Sequence, residues 1–378
     1  MKYIDEFRLP DLAKQLATRI AEAVEPQRHY RLMEFCGGHT HAIFRYGLQD
    51  LIPANVEFIH GPGCPVCVLP TSRIDNAIEL VEKYDVILCT YADLMRVPAS
   101  ERNSLLKAKA NGGDIRMIYS SQEALKIARQ NPQRQVVFFA IGFETTTPPT
   151  AVILQQAQTE QLNNFSVFCN HVLTPAAMQA LLDAPEPIVV DGFLGPSHVS
   201  TIIGTQPYQL FAEQYQKPIV IAGFEPLDVM QSTLMLIRQL NAGQHHVENQ
   251  YSRAVTAQGN RKAQALMAAT FELRTHFEWR GLGEIANSAL KLKAEFAEFD
   301  AEQRFSLTTK TAKQVKGCEC PAILRGAKKP QDCKLLGTVC TPDHPMGSCM
   351  VSSEGACAAY WSYGQGKRIK THPPNTTC

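Results

Sequence analysis

Val136-Val-Phe-Phe-Ala-Ile141 followed by Gly142-Phe143-Glu144-Thr-Thr-Thr-Pro148 carries the fold in miniature. Six consecutive apolar residues, rich in β-branched and aromatic side chains, read as a strand buried on both faces. The glycine then opens a turn, and Pro148 suits the first turn of a helix. The arrangement recurs as Pro218–Ala222, Gly223-Phe224-Glu225 and Pro226. A strand, a Gly-Phe-Glu turn and a helix start, found twice, mark a duplicated βα unit. In open α/β sheets the carboxyl ends of strands are where ligands bind, which makes Glu144 and its three following threonines a candidate site. A plain surface carboxylate is the alternative for Glu144.

Outward from these turns, short β-rich runs alternate with helical stretches from Tyr30 to about Leu240. Strands are expected at Tyr30–Phe35, Val56–His60, Val86–Thr90, Ile115–Tyr119, Val136–Ile141, Ser166–Asn170, Ile188–Asp191 and Pro218–Ala222. Helices are expected at Ser72–Lys83, Ser121–Arg129, Pro149–Gln161, Pro175–Leu182 and Leu227–Leu240. This order predicts an α/β protein with two Rossmann-like parallel-sheet domains and crossover helices. The expected divisions are an N-terminal helical segment 1–29, α/β domains 30–120 and 121–240, and a mostly helical or irregular C-terminal domain 241–378. In the last, Lys262–Glu272 and Leu282–Phe296 read as amphipathic helices. From Thr308 onward Gly, Pro and Cys dominate, and so little apolar surface needs covalent or metal crosslinks to become ordered.

Hydrophobic content of 45%, charged content of 19% and a net charge of +1 are ordinary for a globular chain of 378 residues. They give no reason to expect nucleic acid or an anionic membrane as partner. No window approaches the ~18 apolar residues of a membrane span. The N-terminus carries acidic residues and no apolar core of a secretory signal, so a cytoplasmic protein is expected. Thiols stay reduced there, which disfavours a disulfide framework for the twelve cysteines and leaves metal ligation or redox chemistry.

Seven of those cysteines lie between Cys318 and the C-terminal Cys378. The spacing Cys320-x12-Cys333-x6-Cys340-x16-Cys357, with Cys318 and Cys349 as further thiols, allows a tetrahedral zinc or a [4Fe–4S] cube. Structural zinc sites are usually paired knuckles of closely spaced cysteines, so the wide spacing here favours the cluster. Cys318 and Cys320 compete for the place of first ligand.

Two Gly-rich loops carry the other informative thiols, Cys36-Gly-Gly-His39-Thr-His41 and Gly61-Pro-Gly-Cys64-Pro-Val-Cys67. Cys36 ends a strand, and a helix over roughly Ala42–Leu51 follows. Glycines let backbone approach a ligand closely, and a helix N-terminus lowers a thiol pKa. Cys36 is therefore a candidate reactive thiolate or metal ligand, with His39 as proton shuttle or second ligand; a buried cysteine in a plain βα turn is the alternative. Cys64 and Cys67 have the spacing and setting of a redox dithiol, or of half a zinc knuckle. Cys89 and Cys169 lie inside apolar strands and read as core residues.

Together, the Cys36 loop, the Cys64/Cys67 loop, Gly142-Phe-Glu-Thr-Thr-Thr-Pro and the cysteine-rich tail resemble the HypD family, scaffolds in the maturation of [NiFe]-hydrogenases. The resemblance runs from about residue 30 to 363, and Gly364–Cys378 reads as a variable tail. It implies two Rossmann-like domains and a third domain holding a [4Fe–4S] cluster on Cys320, Cys333, Cys340 and Cys357. It implies Cys36 as the iron-binding thiol with His39 beside it, and Cys64 and Cys67 as a redox dithiol that also contributes to iron binding. The implied partners are a HypC-type chaperone, a HypE-type cyanide donor and, through the chaperone, a hydrogenase large subunit. The implied cargo is iron carrying two cyanides and one carbon monoxide, so the chain would be a scaffold more than a turnover enzyme. The residues alone also allow a cluster-dependent dithiol oxidoreductase, resembling ferredoxin:thioredoxin reductase, and a zinc-stabilised binding module.

Overall fold

The computed structural model describes residues 4–186, 188–308 and 315–364. The alternating runs form two parallel sheets. Their strands are β1 (Tyr30–Glu34), β2 (Val56–His60), β3 (Ile87–Thr90), β4 (Ile115–Met117), β5 (Val136–Gly142), β6 (Phe165–His171), β7 (Gly192–Gly195), β8 (Ile219–Ile221) and β9 (Val247–Asn249). One sheet has the order β2-β1-β7-β8-β9 and the other β4-β3-β5-β6. The register aligns Tyr30 with Val56, Leu32 with Gly192 and Phe193 with Ile219 in the first, and Val136 with Ile87 and Phe165 in the second. The α/β class and its two parallel sheets agree with the sequence reading.

The sheets do not occupy consecutive stretches of chain. β1 and β2 join β7, β8 and β9, while β3 to β6 form the second sheet between them, so the expected break at 120/121 falls between β4 and β5 of one sheet. Strand pairing decides this. β7 has its partner in β1 at Leu32–Glu34, about 160 residues earlier.

β5 shows why the apolar run is continuous. Val137, Phe139 and Ile141 enter a central core shared with Met33 and Phe35, and Val136, Phe138 and Ala140 enter an outer core under the helices Ser121–Gln130 and Thr147–Thr159. Alternate residues point to opposite faces and both faces are covered. Burying each of these phenylalanines contributes roughly 1.5–3 kcal/mol. The helix Ser121–Gln130 starts with a capping box in which Ser120 and Glu123 satisfy each other's backbone ends. The helix Pro226–Asn241 starts with Pro226 directly after the second Gly-Phe-Glu turn. At the N-terminus the helix Pro10–Ala23 packs on the five-stranded sheet's other face through Ile20.

Four local expectations need correction. The helix expected at Leu282–Phe296 is two strands, β12 (Gly283–Ala286) and β13 (Leu290–Leu292), then a 3-10 turn over Ala294–Phe299. Leu290 and Leu292 are buried with Lys291 exposed between them, a period of two that a short window shares with a helix. β12 pairs antiparallel with β11 (His276–Trp279), and β13 with β10 (Phe271–Leu273), so the helix expected over Lys262–Glu272 ends at Thr270. The strand expected at Ile188–Asp191 lies at Gly192–Gly195, where Arg31 O and the β1 ladder fix its register. The helix expected at Ala42–Leu51 begins earlier, at Gly37, and breaks where Gly47 adopts a φ of 61°.

The cysteine-rich segment is not a satellite. Cys320, Cys349 and Cys357 belong to the same central core as Phe139 and Phe193. Cys378 lies outside the described residues, as does the tail from 365 onward. Among the described residues no helix is long and apolar enough to cross a membrane.

Candidate functional site

Cys36 stands just beyond the end of β1 as the N-cap of the helix Gly37–Arg45, in extended backbone with a φ of −153°. Its amide donates to Glu34 Oε2 over 3.0 Å. Glu34 is wholly buried, and its Oε1 also accepts from the Thr40 hydroxyl and faces His60 Nδ1 at 2.9 Å. This buried carboxylate holds the loop in place. Sequence reading passed over it, although a Glu flanked by Leu32, Met33 and Phe35 was the available signal.

The three glycines make room. Gly37 N donates to Gly63 O over 3.1 Å, which locks the two thiol loops together. A Cβ on Gly38 would stand 2.6 Å from Phe224 Cδ1 and closer still to Cε1, and one on Gly37 would strike Glu354. His39 is fully buried and points away from Cys36 toward the second Gly-Phe-Glu turn. Its Nε2 lies 3.0 Å from Ala222 O and 3.1 Å from Gly223 O, so that nitrogen carries the proton. Burial holds the imidazole pKa below its usual value and keeps it neutral. His39 thus ties the Cys36 loop to the other βα turn.

Cys36 lines a cavity of about 420 Å³ at the carboxyl ends of strands from both sheets. Gly142, Phe143, Thr146, His198 and Glu354 line the same cavity. His198, which sequence reading missed, is the imidazole of this cavity among the described residues; its ring lies 4.2 Å from that of Phe224. The Cys36 thiol is not depressed as expected. Burial pushes its pKa well up, Glu354 adds to that, and the amides of Gly38 and His39 oppose it only in part. A helix N-terminus cannot offset the loss of water around a thiol that is 8% exposed. Glu354 is itself held above the usual carboxyl range by burial and by Asp93 and Glu34.

Cys64 caps the short helix Pro65–Val68, and Cys67 lies in it; the two are disulfide-bonded with Cα atoms 5.2 Å apart. Pro65 and Val66 form a wall of the Cys36 cavity. Cys67 faces the other way, toward the cysteine-rich segment, with Sγ 3.9 Å from Ser348 O, and Ser348 Oγ donates to Cys67 O over 2.8 Å.

Beyond Ser348 the remaining thiols gather. Cys320 Sγ lies 2.7 Å from Cys349 Sγ and 3.6 Å from Ser348 Oγ. A Cβ on Gly347 would stand 2.6 Å from Cys318 Sγ and 3.2 Å from Cys320 Cβ. Cys349 also shares a hydrogen bond with Cys357, and Cys340 Sγ accepts from Met346 N at 3.4 Å. Cys318 and Cys349 both donate toward Cys320, which holds its thiol pKa well below the usual value. Among the described residues, no three His, Cys, Asp or Glu side chains converge tightly enough to hold a single metal ion. A [4Fe–4S] cube asks for something looser, since each thiolate binds a different iron. The donor set fits such a group: six soft thiols lie within electrostatic reach of one another. Arg280 adds to the fit, because its Nη2 is buried without a hydrogen-bond partner while its charge acts on Cys320. That is the electrostatics an anionic sulfur centre would satisfy.

Glu144 is elsewhere. It is buried, and it accepts from Thr174 N at 2.9 Å and Thr174 Oγ1 at 3.0 Å. Burial pushes its carboxyl up to about 7. It borders a second cavity of about 880 Å³, lined by apolar residues such as Leu173, Leu210 and Leu282, while Thr145 and Thr146 face the Cys36 cavity. Cys89 and Cys169 are buried core residues, as expected.

The sequence model of the HypD family, described as the hydrogenase formation hypA family, matches residues 11–364. The hydrogenase maturation factor HypD of Azotobacter vinelandii is 64% identical over 372 residues, covering 97% of this chain and 98% of its own. The hydrogenase expression/formation protein HupD of Azotobacter chroococcum mcd 1 is likewise 64% identical, over 97% of this chain and 98% of its own. The hydrogenase maturation factor HypD of Escherichia coli K12 is 46% identical over 370 residues, 97% of this chain and 99% of its own.

Proposed function

The chain belongs to the HypD family of hydrogenase-formation proteins, and we propose that it is the scaffold on which the Fe(CN)2CO fragment of a [NiFe]-hydrogenase is assembled. The observation that carries this reading is the position of Cys36. Its thiol opens into a cavity between the carboxyl ends of two sheets, and its loop is bonded to the dithiol turn through Gly37 and Gly63.

The iron fragment is the cargo, and Cys36 Sγ is its protein ligand. A thiolate is a soft donor suited to iron that carries cyanide and carbonyl. Because burial keeps the thiol protonated in the free protein, iron binding displaces that proton, and the Gly38 and His39 amides then steady the sulfur. His198 and Glu354 face the same space and orient the cargo's polar ligands, while Phe143 and Val66 exclude water. His39 holds the Cys36 loop against the Gly223-Phe224 turn. Cys64 and Cys67 form a reversible dithiol.

Cys333, Cys340 and Cys357, with Cys318 or Cys320, would hold a [4Fe–4S] cluster, which when bound supplies single electrons. A HypC-type chaperone meets the cavity mouth, a HypE-type protein donates cyanide, and the chaperone passes the product to the hydrogenase large subunit; all of this takes place in the cytoplasm. A dithiol oxidoreductase would use Cys64, Cys67 and the thiol cluster but leaves the Cys36 cavity without a role. Infrared spectra of the complex with the HypC-type chaperone test the proposal. Cyanide and carbonyl stretches support it, and a complex that carries iron without them overturns it.

A further inference from the structure

Arg280 sits in the turn between β11 and β12, 211 residues beyond the carbonyl it reaches. Its amide donates to Val68 O over 2.7 Å, and its Nε donates to Leu69 O over 3.0 Å. These carbonyls close the helix that carries Cys67. The next residue, Gly281, with a φ of 85°, presses on the other partner, since a Cβ there would stand 2.9 Å from Pro321 Cα and O. Arg325 Nη1 binds the Gly281 carbonyl at 3.0 Å. The hairpin turn is thus wedged between the dithiol helix and the helix Cys320–Leu324.

The guanidinium is only partly spent. The Leu69 carbonyl takes its Nε, while Nη2 is buried and unpartnered. A buried charged donor with no acceptor is costly, so its retention asks for an anion that is present in some state of the protein. The anions this junction can produce are sulfur-based: a thiolate of Cys67 or Cys320, or a sulfur of a bound cluster.

We propose that Arg280 is a positioning residue that couples the Cys64–Cys67 pair to the thiols around Cys320, holding one fixed positive charge where reduction creates negative charge. The inference rests on the redox-dithiol reading above. Reduction breaks the Cys64–Cys67 S–S bond with two electrons. With dithiothreitol as reductant, those electrons come from its two thiols, which close to a cyclic disulfide, and its protons pass to the new thiolates or to buffer. A neighbouring cation favours the reduced, thiolate-bearing side. Removing it moves the balance toward the disulfide.

The test is a redox titration of the full chain, purified anaerobically, in graded mixtures of reduced and oxidised dithiothreitol. Thiols are trapped, and the peptide bearing Cys64 and Cys67 is quantified by mass. R280Q should shift the equilibrium about tenfold toward the disulfide, which is about 30 mV for a two-electron couple. R280K, which keeps the charge, should stay within about twofold of wild type, and it carries the test alone if R280Q does not fold. R280Q titrating with wild type, or R280K shifting tenfold, overturns the role of Arg280. A wild-type pair with no reversible transition overturns the dithiol reading itself, a failure visible before any variant is compared.

Discussion

Gly63 lies against the backbone of Cys36 so closely that a Cβ built on it would stand 2.5 Å from Cys36 Cα and closer still to its amide nitrogen. The obstacle is backbone, which cannot swing aside as a flexible side chain could. Gly63→Ala should therefore push the two thiol loops apart and cost roughly 1–3 kcal/mol. Denaturant unfolding reads the cost, and alkylation of Cys36 should become faster as its loop opens. Unchanged stability and reactivity would show that the loops give way.

Cys36→Ala removes a buried thiol and its contacts to the Gly38 and His39 amides, while the Cys36 amide keeps its bond to Glu34. Fold, thiol cluster and dithiol should persist. The cyanide and carbonyl bands of the chaperone complex, and hydrogenase maturation in cells, should be lost. Full-strength bands in this variant would move the iron to Cys64 and Cys67.

The cysteine-rich segment separates two kinds of thiol. Cys333→Ala or Cys340→Ala should abolish the brown chromophore and expose residues beyond 315 to protease, because thiolate crosslinks stand in for an apolar core there. The 2.7 Å approach of Cys320 to Cys349 engages Cys320 with a partner of its own. Cys349 also contacts Cys357, so this approach does not exclude Cys320. One of Cys318→Ala and Cys320→Ala should lose iron and sulfide while the other keeps them. Iron and sulfide analysis of the four variants decides between Cys318 and Cys320.

Glu144 ties stability to pH. Its carboxyl is raised from 4.5 to about 7 by burial, so the folded state holds a proton that the unfolded state releases. That contribution is complete below about pH 4.5 and is lost as pH rises through about 7, by up to about 3 kcal/mol. Urea unfolding of wild type between pH 5 and 8 should show the decline, and Glu144→Gln should flatten it while the Thr174 amide keeps its acceptor. Parallel pH profiles for the two proteins would mean the carboxyl is already ionised in the fold.

Much of this was legible in the residues. The run Val136–Ile141 could only be a strand covered on both sides, and the Gly-Phe-Glu turns end strands in both sheets, as their repetition implied. The thiols of Cys36, Cys64 and Cys67 were legible as loops at strand ends, and the pairing of β1 with β2 is what sets those loops side by side. Local pattern reports such features because they depend on neighbours in the chain. It failed for Leu282–Phe296, where three or four apolar residues fit either period and antiparallel pairing with β10 and β11 made the choice.

What the tertiary structure alone decided depends on chain segments that meet from a distance. The sequence determined which thiols exist and that their loops end strands. It could not say that β7, from beyond residue 190, would pair with β1 and bring His198 into the Cys36 cavity. Nor could it say that Glu354 would face that thiol and raise its pKa where a helix N-terminus alone would lower it. The same holds for Glu144, whose motif suggested a ligand but whose carboxylate caps Thr174 in a different cavity. Secondary structure follows from the side chains of one segment. Burial, and with it the protonation of a thiol or carboxyl, follows from what the rest of the chain brings to cover it.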